Sequence, residues 1–279
     1  VNSVIHNSNT LDYCINKAIP DGSNLYYATL FEPEKNKNII ISLHALLHEL
    51  TDIIHECSDP GIARIKLHWW HEEIERLFQQ QPRHPVTRQL MTCLTIDQTL
   101  ISSINSIIGK FEHFLFVDQV DSLEGILSLY DSTSGELWQQ CAIQLKANTS
   151  SLKMMRDMGT LYQYIRCLQQ PTSYITETRC IIPLNIISQD DLLNFSKDRM
   201  RQTDIFSPLL IDLRTRLEKN YNDLKTEDKN IFEHGLILNR LALKTCNEVL
   251  NDGCKLLNTN ISLTPLRKLW IAWRTHFIS

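Results

Sequence analysis

Between Glu34 and Glu56 the apolar residues Ile39, Leu43, Leu46, Leu47, Leu50, Ile53 and Ile54 recur every three or four positions, while His48, Glu49, Asp52 and Glu56 gather opposite. That interval fits the 3.6-residue turn of a helix, so the stretch reads as an amphipathic helix with one buried face. The pattern then repeats along the chain. Asp59-Pro60 is an N-cap followed by proline in the first turn and opens a helix to Leu77. His84-Pro85 opens a shorter one to about Leu94, and Asp97 to Phe114 gives another. Longer patterns run from Leu123 to Lys146 and from Ser151 to about Gln170.

Pro171 to Thr178 is a polar break, followed by Cys180 to Ile187 and a short helix after Ser188-Gln-Asp-Asp. Further helices are expected over about Ser207–Asn222, Lys229–Leu250 and Pro265–Phe277. Strand signals are nearly absent, and 8 Gly and 9 Pro in 279 residues leave few points where long elements break. The chain therefore reads as all-α and as one domain over 1–279, with residues 1–20 as an N-terminal extension.

The formal charge of -4 comes without a basic run, which leaves no electrostatic footprint for nucleic acid. The eight cysteines show no Cys-x-x-Cys and no alternation with histidine, and they read as reduced thiols of an intracellular protein. The first twenty residues lack the apolar core of a signal peptide, and no apolar run reaches the roughly 18 residues that span a bilayer. The expectation is a soluble, cytoplasmic protein, with contact at a membrane surface left open.

Few patterns point to chemistry. Ser134-Gly135-Glu136 sits in a helical pattern, without the strand-to-helix elbow of a hydrolase. His44, His48, Asp52 and His55 form a stripe on one helix whose donors suit zinc, iron or manganese. A polar stripe on an amphipathic helix is more often its solvated face, and no metal is assigned. Trp69-Trp70 between His68 and His71 reads as packing beside a polar face.

The order of landmarks is nevertheless distinctive. Gly22-Ser-Asn-Leu-Tyr-Tyr-Ala28 precedes the Asp52 helix, then come Ser58-Asp-Pro60, Lys66-Leu-His-Trp-Trp-His-Glu-Glu73 and His84-Pro85-Val86. With Tyr130, Gly135, the stretch Gly159 to Gln163 and the stretch Arg179 to Pro183, this order resembles the squalene/phytoene synthase family over about residues 20 to 278. The resemblance implies a single all-α isoprenoid-synthase bundle around a central cavity, in which prenyl diphosphates are joined head to head.

In that family two aspartate-rich motifs on facing helices bind magnesium, whose concentrated charge draws off the diphosphate. The first motif, Asp-Asp-x-x-Asp, falls on Thr51-Asp52-Ile53-Ile54-His55, so only Asp52 survives. The acidic positions of the second fall on Gln170, Ser173 and Tyr174, and its asparagine on Arg166. On a helical wheel Arg156, Gly159, Gln163, Arg166 and Gln170 share a cationic face opposite Met155, Met158, Leu161, Tyr162, Ile165 and Leu168. If the helices face each other as the family implies, Arg166 or Arg156 is expected to pair with Glu49, Asp52 or Glu56, a guanidinium standing where magnesium would.

The resemblance makes Tyr27, His48, Tyr130, Gln163, Arg166, Gln170 and Arg179 candidates to line the cavity. The tyrosines also have a plain reading, as core residues with a satisfied hydroxyl. Two functions stay open. The preferred one is a non-catalytic domain that binds a protein partner, or an isoprenoid or other lipid, with no cofactor. The alternative is an active prenyl transferase in which Asp52, Glu49 and Glu56 hold magnesium.

Degraded motifs together with Trp69-Trp70 and Trp273-Arg274-Thr275 look most like the branch containing a mitochondrial complex I assembly factor. Pro265 to Phe277 interleaves basic and aromatic residues as a membrane-surface helix does. The favoured expectation is that this helix docks Leu269, Trp270 and Trp273 into the core.

Overall fold

The computed structural model describes residues 2–57, 59–117, 120–169, 182–187, 199–226, 229–252 and 262–278. Its elements are α1 (Asn2–Ala18), α2 (Asn24–Ala28), α3 (Glu34–Glu56), α4 (Pro60–Phe78), α5 (Pro85–Cys93) and α6 (Gln98–Phe114). They continue with α7 (Leu123–Tyr130), a π-helical turn (Asp131–Gly135), α8 (Glu136–Gln144) and α9 (Thr149–Gln169). The last three are α10 (Arg199–Leu224), α11 (Lys229–Asn251) and α12 (Pro265–Ile278). The fold is all-α, and no helix among the described residues is long and apolar enough to cross a membrane.

Local chemistry sets several of the starts. Asp59 Oδ1 accepts from the backbone N–H groups of Gly61 and Ile62 at 2.6 and 3.3 Å, capping α4. His84 Nδ1 accepts from Val86 N at 3.2 Å and Asp97 Oδ1 from Leu100 N at 2.8 Å, which fixes α5 and α6 where the sequence predicts them.

Residues 1–20, expected as an N-terminal extension, contain the helix α1, which packs on α3 and α5 and buries Cys14 and Ala18. The helix expected from Ser207 begins at Arg199 and runs through Pro208, because Phe206, Leu209, Leu210, Leu213 and Leu217 form one buried face that spans the proline. Burial along that face outweighs the one backbone hydrogen bond proline cannot donate. The helix expected over Leu123–Lys146 is interrupted by the π turn.

Helix α9 is the axis of the bundle and touches α7, α8, α10 and α11. Every residue from Met158 to Ile165 is buried, so α9 is enclosed all round rather than split into an apolar and a cationic face. Two glycines permit its close crossings. A side chain at Gly159 would run into the Trp138 ring, and one at Gly135 would lie 2.5 Å from Thr160 Oγ1 and 2.9 Å from the Arg156 carbonyl.

Trp138 itself is 1% exposed and meets His44 of α3, Tyr162 of α9 and His234 of α11, with ring centroids 5.2, 5.6 and 6.2 Å away. An indole therefore fills the space between α3, α9 and α11 at this level.

Helix α12 reverses the expected docking. Leu269, Trp270 and Trp273 are 43, 57 and 38% exposed, while Lys268, Ala272 and Thr275 face inward. The inward side is held by polar bonds: Lys268 Nζ to the Gly22 carbonyl at 2.8 Å, Arg240 Nη1 to Thr275 Oγ1 at 3.1 Å, and His276 Nδ1 with Glu233 Oε1 at 2.6 Å. Gly22 has φ +80°, a conformation glycine adopts without strain, and that turn precedes α2.

Candidate functional site

The polar face of α3 divides between two pockets. At about 100° per residue the acids Glu49, Asp52 and Glu56 lie on average roughly a quarter turn round α3 from His44 and His48, with Asp52 nearest the histidines. The carboxylates line a cleft of about 290 Å³ with Lys17, Trp69 and Trp70. The histidines line a pocket of about 250 Å³ with Tyr162, Arg166, Gln169 and Lys268.

In the carboxylate cleft the cation comes from α1. Lys17 Nζ lies 2.7 Å from Asp52 Oδ2 and 3.3 Å from Glu49 Oε1, and the Tyr13 hydroxyl donates to Glu49 Oε1 at 2.7 Å. Burial works against the Lys17 charge, but the hydrogen bond to Asp52 and the Glu49 charge prevail and hold its ammonium above the usual lysine value. Burial and the bond to Glu49 push the Tyr13 phenol up to about 12, so it remains a donor. Glu56 lines the same cleft and is exposed.

Neither arginine of α9 meets these carboxylates in a recorded bond. Arg156 makes a forked pair with Asp131, Nε to Oδ1 and Nη2 to Oδ2, both 2.8 Å, and its Nη1 reaches Gln139 Oε1 at 3.2 Å. Arg166 Nη1 lies 2.9 Å from His48 Nε2. A guanidinium only donates, so His48 Nε2 accepts and the imidazole is neutral. Burial and the Arg166 charge hold His48 well below its usual pKa, in agreement with that role. The expected arginine–carboxylate pairing is thus replaced by Lys17–Asp52, because α1 closes over the acidic side of α3 before α9 reaches it.

The other candidates are placed as follows. Tyr27 is buried and edge-on to Tyr26, with centroids 5.2 Å apart. The Tyr130 hydroxyl donates to Cys167 Sγ at 3.3 Å, and Gln163 Nε2 approaches the same sulfur at 3.8 Å. These two are brought together inside the bundle, away from the pocket lined by His48 and Arg166. Gln170 and Arg179 lie outside the described residues.

Of the residues that line the pocket only His48 and Arg166 are among the cavity candidates; His44, Tyr162, Gln169 and Lys268 are additions from the structure. His44 is 4% exposed and its Nε2 has no hydrogen-bond partner among the described residues. Burial, then the His234 and Arg166 charges, lower its pKa to about 3. Among the described residues the pocket wall carries Arg166 and Lys268, the latter's ammonium held below the usual lysine value by burial, together with two neutral imidazoles and no carboxylate.

Residues 20–267 match the protein family described as squalene/phytoene synthase. The chain belongs to the squalene/phytoene synthase family. No curated protein sequence matches it at a significant level. Two solved structures share the family's fold. Squalene synthase HpnC from Alicyclobacillus acidocaldarius superposes with a TM-score of 0.71 at 11% identity, covering 89% of this chain and 96% of that one. A dehydrosqualene synthase in complex with ligand gives 0.74 at 12% identity, covering 97% and 96%.

Lys17 stands outside the family match, and so does α12 from Lys268 onward. The cation on Asp52 and the exposed aromatic helix are both borne by parts of this chain that the family pattern does not cover.

Proposed function

We propose that this family member is non-catalytic and acts by binding, its pocket between α3 and α9 receiving the anionic head of an isoprenoid or other lipid directly, or an acidic group of a protein partner. The observation that carries this is the Lys17–Asp52 ion pair at 2.7 Å, which places an ammonium on the one aspartate the first motif keeps.

Magnesium ionises a prenyl diphosphate only when several oxygen ligands hold it against the leaving group. Among the described residues the three carboxylates of the cleft sit on one helix, two share a lysine, and the neighbouring pocket is lined by Arg166 and Lys268. The donor set does not fit the metal. An anion, by contrast, meets two fixed cations and neutral His44, whose free Nε2 is buried.

The pocket is also small. At about 250 Å³, with His44 and Trp138 behind it, it has room for a headgroup while a long prenyl chain remains outside. A surface-bound partner suits this shape, and the resemblance to the complex I assembly branch makes a protein complex the first class of partner to examine.

The test is incubation of the full chain with farnesyl or geranylgeranyl diphosphate and magnesium, following pyrophosphate. The expected result is no release above the uncatalysed rate. Release that disappears in Asp52→Ala supports the active transferase instead.

A further inference from the structure

The outward stripe of α12 has no role in the pocket or its ligand. Leu266, Leu269, Trp270, Trp273 and Phe277 follow the spacing i, i+3, i+4, i+7, i+11, which places them on one side of the helix. Their exposures are 79, 43, 57, 38 and 60%. Trp270 and Trp273 stack with centroids 5.1 Å apart, and Phe277 joins Trp273 at 5.5 Å, so the stripe is one continuous aromatic surface. An exposed patch of this kind marks an interaction site.

The charge around the patch identifies the partner. A groove of about 390 Å³ between α11 and α12 is lined by Arg240, Lys244, Arg267 and Arg274 together with Trp270 and Ile271, and among the described residues no carboxylate lines it. Glu248 of α11 is engaged by Arg267 at 2.7 Å and Lys244 at 3.3 Å. Indole rings favour the boundary between headgroups and acyl chains, and arginines beside them reach back to lipid phosphates.

We propose that the outer face of α12 is a docking surface for an anionic lipid bilayer, with Trp270, Trp273 and Phe277 entering the interface and Arg267, Arg274 and Lys244 meeting the phosphates. The helix lies in the plane of the membrane, its inward side still bonded to α11 and to the Gly22 turn. This surface is separate from the α3–α9 pocket, and docking is independent of whether the protein turns over a prenyl diphosphate.

Flotation of the full chain with vesicles of phosphatidylcholine, or of equal parts phosphatidylcholine and phosphatidylglycerol, tests it. The chain is expected to float with the anionic vesicles at least about tenfold more than with the neutral ones, and to be released by high salt. Removing one cation with Arg274→Gln is expected to weaken binding about fivefold, from roughly 1 kcal/mol per basic residue at such a surface. Trp270→Ser combined with Trp273→Ser is expected to weaken it by at least about tenfold.

Quenching of tryptophan emission by brominated acyl chains, measured on the unaltered protein, gives a readout independent of whether the double variant folds. Absence of flotation, binding unchanged by Arg274→Gln, or no quenching overturns the proposal. A concentration-dependent dimer without vesicle binding overturns it in favour of a second copy of the chain.

Discussion

Lys17 of α1 and Asp52 of α3 form an ion pair at 2.7 Å, with Glu49 sharing the same ammonium at 3.3 Å. Their side chains are 26, 35 and 15% exposed, so solvent screens the pair and its net worth to stability is small. Lys17→Met is expected to cost about 1 kcal/mol or less in a denaturant titration. It also frees both carboxylates. The variant, unlike the parent, is expected to gain on the order of 1 kcal/mol when magnesium is several-fold above its Kd. An equal gain in the parent shows that the lysine does not close the site.

Glu73 is a second polar anchor, structural in kind. Its fully buried carboxylate accepts from Arg76 Nε at 2.8 Å, the backbone N–H groups of Arg83 and His84 at 2.7 and 2.8 Å, and the Thr87 hydroxyl. It ties the end of α4 to the start of α5, beneath the carboxylate cleft. Glu73→Ala leaves those donors unsatisfied and is expected to cost on the order of 3–5 kcal/mol by equilibrium unfolding.

Much of this was legible in the sequence. The periodic apolar positions of α3 and the caps at Asp59, His84 and Asp97 are local signals, and the structure places those helices accordingly. The cation on Asp52 was not. It depends on how α1 lies across α3, a tertiary relationship, although Tyr13 and Lys17 stand four apart and a helical reading of residues 2–18 would have put both on one side. Lys268 gave no signal at all, because it reaches the pocket only by docking α12 onto the Gly22 turn. The same docking explains the inverted α12: polar bonds fix its inner side, so amphipathicity alone points the wrong way.

Acid sensitivity follows from the buried imidazole. His44 has its pKa lowered from 6.5 to about 3, so the folded state keeps it neutral while the unfolded state takes up a proton. Its contribution to stability is complete above pH 6.5 and is lost as pH falls toward 3. At pH 5 the loss is about 2 kcal/mol, from roughly 1.5 pH units at about 1.4 kcal/mol each. Glu73 adds to this at lower pH. Burial alone would raise its pKa, but the bonds from Thr87, His84, Arg76 and Arg83 together lower it, so its share is lost as pH falls below the usual carboxylate range. His48, likewise held low by burial and the Arg166 charge, acts in the same direction, so His44→Leu is expected to reduce the slope of the unfolding free energy between pH 6.5 and 5 without abolishing it, and an unchanged slope contradicts the assignment.

Gly159 and Trp138 test the packed centre. Gly159→Ala drives a methyl group into the indole and is expected to destabilise by about 1–3 kcal/mol. Removing the indole in Gly159→Ala/Trp138→Ala takes away the Cγ and Cδ1 atoms that the new methyl group meets, so the second change is expected to cost less in the alanine background than alone. Additive costs in thermal unfolding contradict the contact.

With cations standing where a metal would act, we propose that the α3–α9 pocket holds an anion without magnesium. Calorimetric titration of the full chain with inorganic pyrophosphate, in chelator and then in excess magnesium, tests it most directly. Binding is expected in chelator, is lost in Arg166→Gln and is not strengthened by the metal. Binding that requires magnesium, or no binding in either buffer, contradicts it.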